Sequence, residues 1–167
     1  KKIKQIGIPF ILMLIFNLGT FYITRQNFGG GLTLHVGVLL VSGLLFGPYG
    51  AIGSVVANML CDLIRGYNPI LAITSAIVSF AISYLAYKLW YNKYKKRTEV
   101  TMPKLNNTTN VLLFIGIVLI CGVLYGKLHG QLSYLTYPDT IPIENLIEFR
   151  YSLNFINSSI IFGIIGI

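Results

Sequence analysis

Charged residues are scarce in this chain, and that scarcity is its most informative feature. Asp, Glu, Lys and Arg together make up 11% of the 167 residues, whereas soluble domains carry about 25%. Hydrophobic residues make up 54%. Water cannot solvate so much apolar surface around one small core, but lipid can. The composition therefore excludes an ordinary soluble domain and predicts one integral membrane domain over residues 1–167.

Motifs for catalysis and metal binding are also missing. The sequence has no Gly-Lys-Ser/Thr phosphate loop and no His-Glu-x-x-His zinc motif. Cys61 and Cys121 lie inside apolar segments without metal-ligand spacing, so we expect no disulfide. His35, His129 and Asp62 could in principle meet at a metal, but their spacing does not indicate one. We predict a protein that is not an enzyme and that holds no metal or cofactor.

Six apolar segments predict the fold. The predicted helices cover about residues 6–23, 32–46, 49–64, 69–90, 111–128 and 151–167. Several are near the length of about 17–25 residues that a spanning helix needs. The second and third are shorter and are separated only by Gly47-Pro48. They could form one hairpin that reaches part-way or two tilted spans, and their apolarity favours spans. The predicted class is an all-α membrane bundle of about six transmembrane helices.

The positive charge predicts the orientation. The net charge is +8, and basic residues concentrate in cytoplasmic loops. Six spans with both termini in the cytoplasm place nine of the thirteen Lys and Arg residues inside, namely Lys1, Lys2, Lys4, Lys88, Lys93, Lys95, Lys96, Arg97 and Lys104. The outer side receives Arg25, Arg65, Lys127, Arg150 and every acidic residue except Glu99. We predict a multi-pass protein of the cell membrane, in contact with the lipid bilayer and not with nucleic acid.

Small residues lie on both sides of the predicted break between the second and third helices. Gly43, Gly47, Gly50 and Gly53 recur at spacings of three and four. Small residues let membrane helices approach closely. We expect these two helices to pack tightly against each other.

Polar residues inside the predicted spans are the candidate functional groups, because each needs a partner or a task at membrane depth. Asn58 and Asp62 are four apart, on one helix face, and Arg65 follows Asp62 by three. Asp62 and Arg65 could simply form an ion pair at a helix end. Asn58 and Asn157 could serve only as hydrogen bonds between helices, and His35 could bond to backbone at the interface.

Most of these residues fall toward the outer side, which predicts an outward-facing pocket. The outer loops are predicted at 22–31, 65–68 and 129–150, and the first is long enough to fold over a cavity. On this hypothesis the small-molecule ligand contacts Arg25, Asn27, His35, Asn58, Asp62, His129, Asn154 and Asn157. Asn154, Asn157 and Ser158 are expected to share one face of the last helix.

Three stretches resemble a known family: LHVGVLL at 34–40, LFGPYGAIG at 45–53 and NMLCDLIRG at 58–66. They are similar to the substrate-binding membrane subunit (S component) of energy-coupling factor (ECF) transporters. The resemblance implies six spans and an outer site for a vitamin or similar micronutrient under a lid formed by loop one. It places the site walls near Tyr67, Asn68, His129, Arg150 and Asn154. Such a subunit binds its ligand and works with a transmembrane coupling subunit and its ATPases.

The first span departs from that family. Many members carry an Ala-x-x-x-Ala pair there for docking on the coupling subunit, and residues 6–19 lack it. The alternative is a transmembrane sensor in which the same bundle is fused to a cytoplasmic signalling domain beyond Ile167. Both functions require the same outer pocket.

Overall fold

The computed structural model describes residues 2–24, 33–92, 103–140 and 144–167. These residues form five α-helices and no strand: α1 (Lys2–Thr24), α2 (His35–Ile64), α3 (Pro69–Asn92), α4 (Thr108–Thr136) and α5 (Glu144–Gly166). The predicted all-α class is confirmed. The first four helices are long and apolar enough to cross a membrane. α5 carries Asn154, Asn157, Ser158 and Ser159 in its middle, which makes it more polar than the others.

Helix α2 folds back on itself at Gly47. This residue has φ 61° and ψ −145°, a left-handed conformation that glycine adopts without the penalty of a Cβ atom. Pro48 follows and has no backbone N–H to donate to a continuing helix. A Cβ at Gly50 would overlap the carbonyl oxygen of Ser42, although eight residues of straight helix span about 12 Å. Residues 35–46 and 48–64 are therefore two packed halves, and Gly47 forms a bend between them.

The predicted break at Gly47-Pro48 thus lies inside one helical element, and the second and third predicted helices are the two halves of α2. Helices α4 and α5 are longer than predicted. α4 continues to Thr136 and α5 begins at Glu144, so the prediction of an outer loop over 129–150 is wrong. Hydropathy falls at residue 128, but backbone hydrogen bonding continues through the polar residues that follow.

The first half of α2 lies at the centre of the bundle. All ten residues from His35 to Leu44 are buried, and α2 packs against α1, α3 and α5. Helix α4 completes the bundle by packing on α3 and α5. A 12-residue half-helix rises only about 18 Å, which is less than the hydrocarbon thickness of about 30 Å. The first half of α2 is therefore surrounded by the other helices and not by lipid.

Glycines set the closest approaches, as the small-residue spacing predicts. A Cβ at Gly37 would overlap the backbone of Ser158 on α5, and one at Gly43 would overlap Ser83 on α3. Gly53 in turn meets the backbone of Ile6 on α1. The close approach of Gly50 to Ser42 confirms the predicted tight packing between the halves of α2. The other three glycines make similarly close contacts with α5, α3 and α1.

The bundle has two chemically different ends. At the bend end, the Lys2 ammonium lies 5.5 Å from the centre of the Tyr49 ring. At the opposite end, the Arg65 guanidinium lies 5.0 Å from the centre of the Phe21 ring. The described lysines at the bend end are Lys2, Lys4, Lys88 and Lys104, whereas the described acidic residues, Asp62, Asp139, Glu144 and Glu148, lie toward the opposite end.

Candidate functional site

A cavity of about 60 Å³ opens between α2, α3, α4 and α5 at the end away from the bend. The reversal of α2 creates it. His35 and Asp62 both line the cavity, although 27 residues of straight helix would separate them by about 40 Å. The lining residues are Thr33, His35, Val36, Asn58, Asp62, Arg65, Tyr67, Leu71, Ser75, Tyr125, His129, Ser133 and Tyr151.

Four polar side chains form a hydrogen-bonded ring, and three of them, Asn58, Asp62 and Arg65, line the cavity. The Asn17 amide donates to Asn58 Oδ1 at 2.8 Å, and the Asn58 amide donates to Asp62 Oδ2 at 3.3 Å. Arg65 closes the ring by donating to the backbone oxygen of Asn17 at 2.8 Å and to its side-chain oxygen. We call Asn17, Asn58, Asp62 and Arg65 the polar ring. It ties α1 to the second half of α2.

Charge within the polar ring is balanced. Arg65 Nη1 lies 3.9 Å from Asp62 Oδ1, and the two side chains are only 7% and 12% exposed. The predicted Asp62–Arg65 ion pair and the hydrogen bond of Asn58 to another helix are both present. Removing one partner of a buried pair leaves an uncompensated charge, which is strongly destabilising. The pair therefore has a structural role in addition to lining the cavity.

Aromatic rings from α4 and α5 form a second part of the lining, which we call the aromatic wall. Tyr125 and His129 stack with ring centres 4.1 Å apart, and Tyr151 lies 5.9 Å from His129. Hydrogen bonds fix this wall, because His129 Nε2 lies 3.2 Å from Ser79 Oγ and the Tyr151 hydroxyl lies 3.2 Å from Ser133 Oγ. The cavity thus has one charged, amide-rich side and one aromatic side.

His35 is a buried polar group with an unsatisfied atom at the site. It is 8% exposed, and its Nδ1 atom has no hydrogen-bond partner among the described residues. Arg65 Nε is likewise without a partner in that part of the chain. A buried polar atom left unpaired costs about 1–3 kcal/mol. A polar molecule that reached these groups would recover part of that cost.

Metal binding has no support in the described ranges. Within residues 2–24, 33–92, 103–140 and 144–167, no three His, Cys, Asp or Glu side chains lie close enough to hold a metal ion. Both cysteines are free and buried. What the cavity offers chemically is hydrogen bonding and stacking.

The structure brings five of the eleven predicted site residues together. His35, Asn58, Asp62, Tyr67 and His129 line the cavity. Arg25 and Asn27 lie outside the described residues.

The other four predicted residues, Asn68, Arg150, Asn154 and Asn157, do not line the cavity. Asn68 caps α3, since its Oδ1 accepts from the Ile70 N–H at 2.9 Å. Arg150 and Asn157 are exposed, whereas Asn154 is buried between helices. Asn154, Asn157 and Ser158 stand at i, i+3 and i+4 on α5 and so share one side of the helix, as predicted. Asn157 is exposed at the edge of that side, whereas Asn154 and Ser158 are buried.

Sequence reasoning missed several lining residues. It assigned Arg65 only to an ion pair, and it did not place Ser75, Tyr125, Ser133 or Tyr151 at the site. Tyr125, His129 and Ser133 recur every four residues on one face of α4, which is the signal that could have found them. The premature end predicted for this helix concealed that signal.

Comparison with protein-family models, with curated proteins and with solved structures gives no match. The resemblance to ECF substrate-binding subunits therefore rests on the sequence alone.

Proposed function

We propose that this protein binds a small polar molecule in the cavity at the end of the bundle opposite the bend. The observation that carries the proposal is one cavity, inside a bundle of apolar helices, that is lined by residues of both the polar ring and the aromatic wall. Ionisable groups at membrane depth are costly and mark binding sites or transport paths. Here Asp62, Arg65 and two histidines converge on one cavity.

We infer that the cavity opens to the outside of the cell and that both termini lie in the cytoplasm. The described lysines at the bend end and the acidic residues at the other end support this orientation through the positive-inside rule. Counting the two halves of α2 separately gives six membrane segments, the layout of an ECF substrate-binding subunit. The bound molecule is then taken from outside.

Within that layout we propose an importer subunit for a vitamin-like micronutrient, which works with a transmembrane coupling subunit and its ATPases. Helix α1 offers a docking surface for such a partner. It packs mainly against α2, and Ile8, Ile11 and Ile15 are 46%, 56% and 59% exposed on its other side. Co-purification of the tagged chain from native membranes with a membrane protein and an ATPase is the expected outcome.

The binding proposal is tested with purified protein in detergent. Water-soluble micronutrients and metabolites are screened by thermal unfolding, because a ligand that binds the folded state stabilises it. Binding of each hit is then titrated on Asn58→Ala and on Asn157→Ala, two identical changes of which only the first touches the cavity. We expect affinity to fall at least tenfold in Asn58→Ala and to stay unchanged in Asn157→Ala. Equal affinity in the two variants, or no hit at all, would contradict a binding function for the cavity.

A further inference from the structure

We propose that the ligand is an uncharged molecule built on a single planar heteroaromatic ring that carries both hydrogen-bond donors and acceptors. This inference rests on the proposed function and narrows it to a chemical class. Four properties of the cavity support it: its volume, its charge balance, its mixture of donors and acceptors, and its aromatic wall.

The volume favours a ligand about the size of one ring. The cavity measures about 60 Å³, which at about 10–15 Å³ per water holds roughly four to six water molecules. Covalently bonded atoms pack more closely than water molecules do. On that count the ligand is about the size of one six-membered ring with a small substituent.

The charge balance favours a neutral ligand. Among the described residues that line the cavity, Asp62 and Arg65 are the two with full charges, and they face each other at 3.9 Å. Arg65 is also held by Asn17, and Asp62 by Asn58. A charged ligand would have to break this pair or enter a low-dielectric cavity without a counter-charge, and both cost free energy.

The lining supplies donors and acceptors together. Asp62 Oδ1 contacts Arg65 only at 3.9 Å, a distance too long for a hydrogen bond, and can accept one from a ligand. The imidazole of His35 and the hydroxyl of Ser75 can each donate or accept. A ring that bears an amide or amino group next to a ring nitrogen matches this mixture. A purely apolar ring would leave these groups unpaired.

The aromatic wall favours a planar ligand. Tyr125, His129 and Tyr151 present adjacent rings to the cavity, with centre distances of 4.1, 5.9 and 6.3 Å between the pairs. Aromatic rings attract one another in offset-stacked or edge-to-face arrangements at such distances. A heteroaromatic ring extends this cluster, whereas a flexible chain would lose conformational entropy on binding without equivalent contacts.

Thermal unfolding of the wild-type protein with matched probes tests the class. The neutral single rings are uracil, cytosine and nicotinamide. The charged counterparts are orotate, nicotinate and 3-(aminomethyl)pyridine, and the two-ring probes are adenine and quinoline-3-carboxamide. We expect at least one neutral single ring to raise Tm by roughly 5 °C or more near 100 times its Kd. The charged and two-ring probes should give no comparable shift.

A second test alters the charge of the cavity. If Asp62 and Arg65 had only a structural role, their replacement would not change which ligands are preferred. Asp62→Asn keeps the shape of the side chain and leaves Arg65 uncompensated, so nicotinate or orotate should gain at least tenfold in affinity relative to the neutral ring. Arg65→Gln should shift preference toward 3-(aminomethyl)pyridine. Asp139→Asn, an exposed acidic residue at the same end, should leave the preference of the wild type unchanged.

The outcomes separate the inference from the proposed function. The inference is overturned if none of the three neutral rings stabilises the wild type, or if charged or two-ring probes stabilise it equally. It is also overturned if Asp62→Asn and Arg65→Gln both fold and both weaken the binding of every probe, with no change in the preference between neutral and charged probes. If a larger or charged metabolite binds and loses affinity in Asn58→Ala, the binding function stands while the class is wrong. If no compound binds, both the ligand class and the proposed binding function are rejected.

Discussion

At the scale of single residues, Asn17 shows how one amide can hold a membrane helix. It is 0% exposed, donates to Asn58 and accepts from Arg65. Buried amides in lipid-facing bundles are retained where each of their bonds has a partner. Asn17 falls within the first predicted span, but the sequence did not indicate which residues it meets, because Asn58 is 41 positions further along the chain and beyond the bend.

Replacing Asn17 should therefore destabilise the protein. Asn17→Ala removes two side-chain contacts and leaves Arg65 and Asn58 partly unpaired, at a cost of about 1–3 kcal/mol. The Tm of the variant, measured by thermal unfolding in detergent, should be lower than that of the wild type. The matched control is Asn157→Ala, since Asn157 is exposed and should tolerate the change. Equal Tm values for the two variants would show that the polar ring does not stabilise the fold.

Asn68 caps helix α3 and does not line the cavity. Its side chain accepts from the Ile70 N–H, so Asn68→Ala should lower stability by about 1 kcal/mol, and Asn68→Asp should restore it. Ligand affinity, titrated on the same samples, should stay at the wild-type value in both. A loss of affinity in Asn68→Ala that Asn68→Asp did not restore would return Asn68 to the binding site.

At the scale of elements, the bend in α2 is the feature that builds the site. Its sequence signal is strong, because Gly47-Pro48 combines a left-handed backbone with a missing donor. The ends of α4 and α5 were harder to predict, since hydropathy reports contact with lipid and not helical hydrogen bonding. Which residues of α4 and α5 face the cavity also depends on how each helix is rotated about its axis. That rotation is set by packing, so the positions of Tyr125 and Tyr151 could not be predicted from the sequence.

Glycines at the bend should be intolerant of a methyl group. Gly50→Ala places Cβ against the Ser42 carbonyl, which forces the halves of α2 apart and should cost about 1–3 kcal/mol as overpacking. Gly116→Ala is the control, since no atom lies within 4 Å of its Cβ position. Tm in detergent is compared for both. A Gly50→Ala protein as stable as Gly116→Ala would mean that the halves are not in contact.

At the scale of the whole molecule, the two ends should face opposite sides of the membrane. In a background with Cys61→Ala and Cys121→Ala, Lys104→Cys and Asp139→Cys place thiols at exposed positions at the bend end and at the cavity end. A membrane-impermeant maleimide applied to intact cells should label Asp139→Cys alone, and permeabilised cells should show labelling of both. Labelling of Lys104→Cys in intact cells would reverse the orientation.

The central position of residues 35–46 has a consequence for how the protein is made. This half-helix is too short to rest in lipid by itself, and Gly37 is covered by the Ser158 backbone of α5. α5 follows every other described helix in the chain, so a ribosome delivers it after them. This central half-helix must therefore wait for the last described helix before it is fully covered, and assembly finishes at the middle of the molecule and not at its edge.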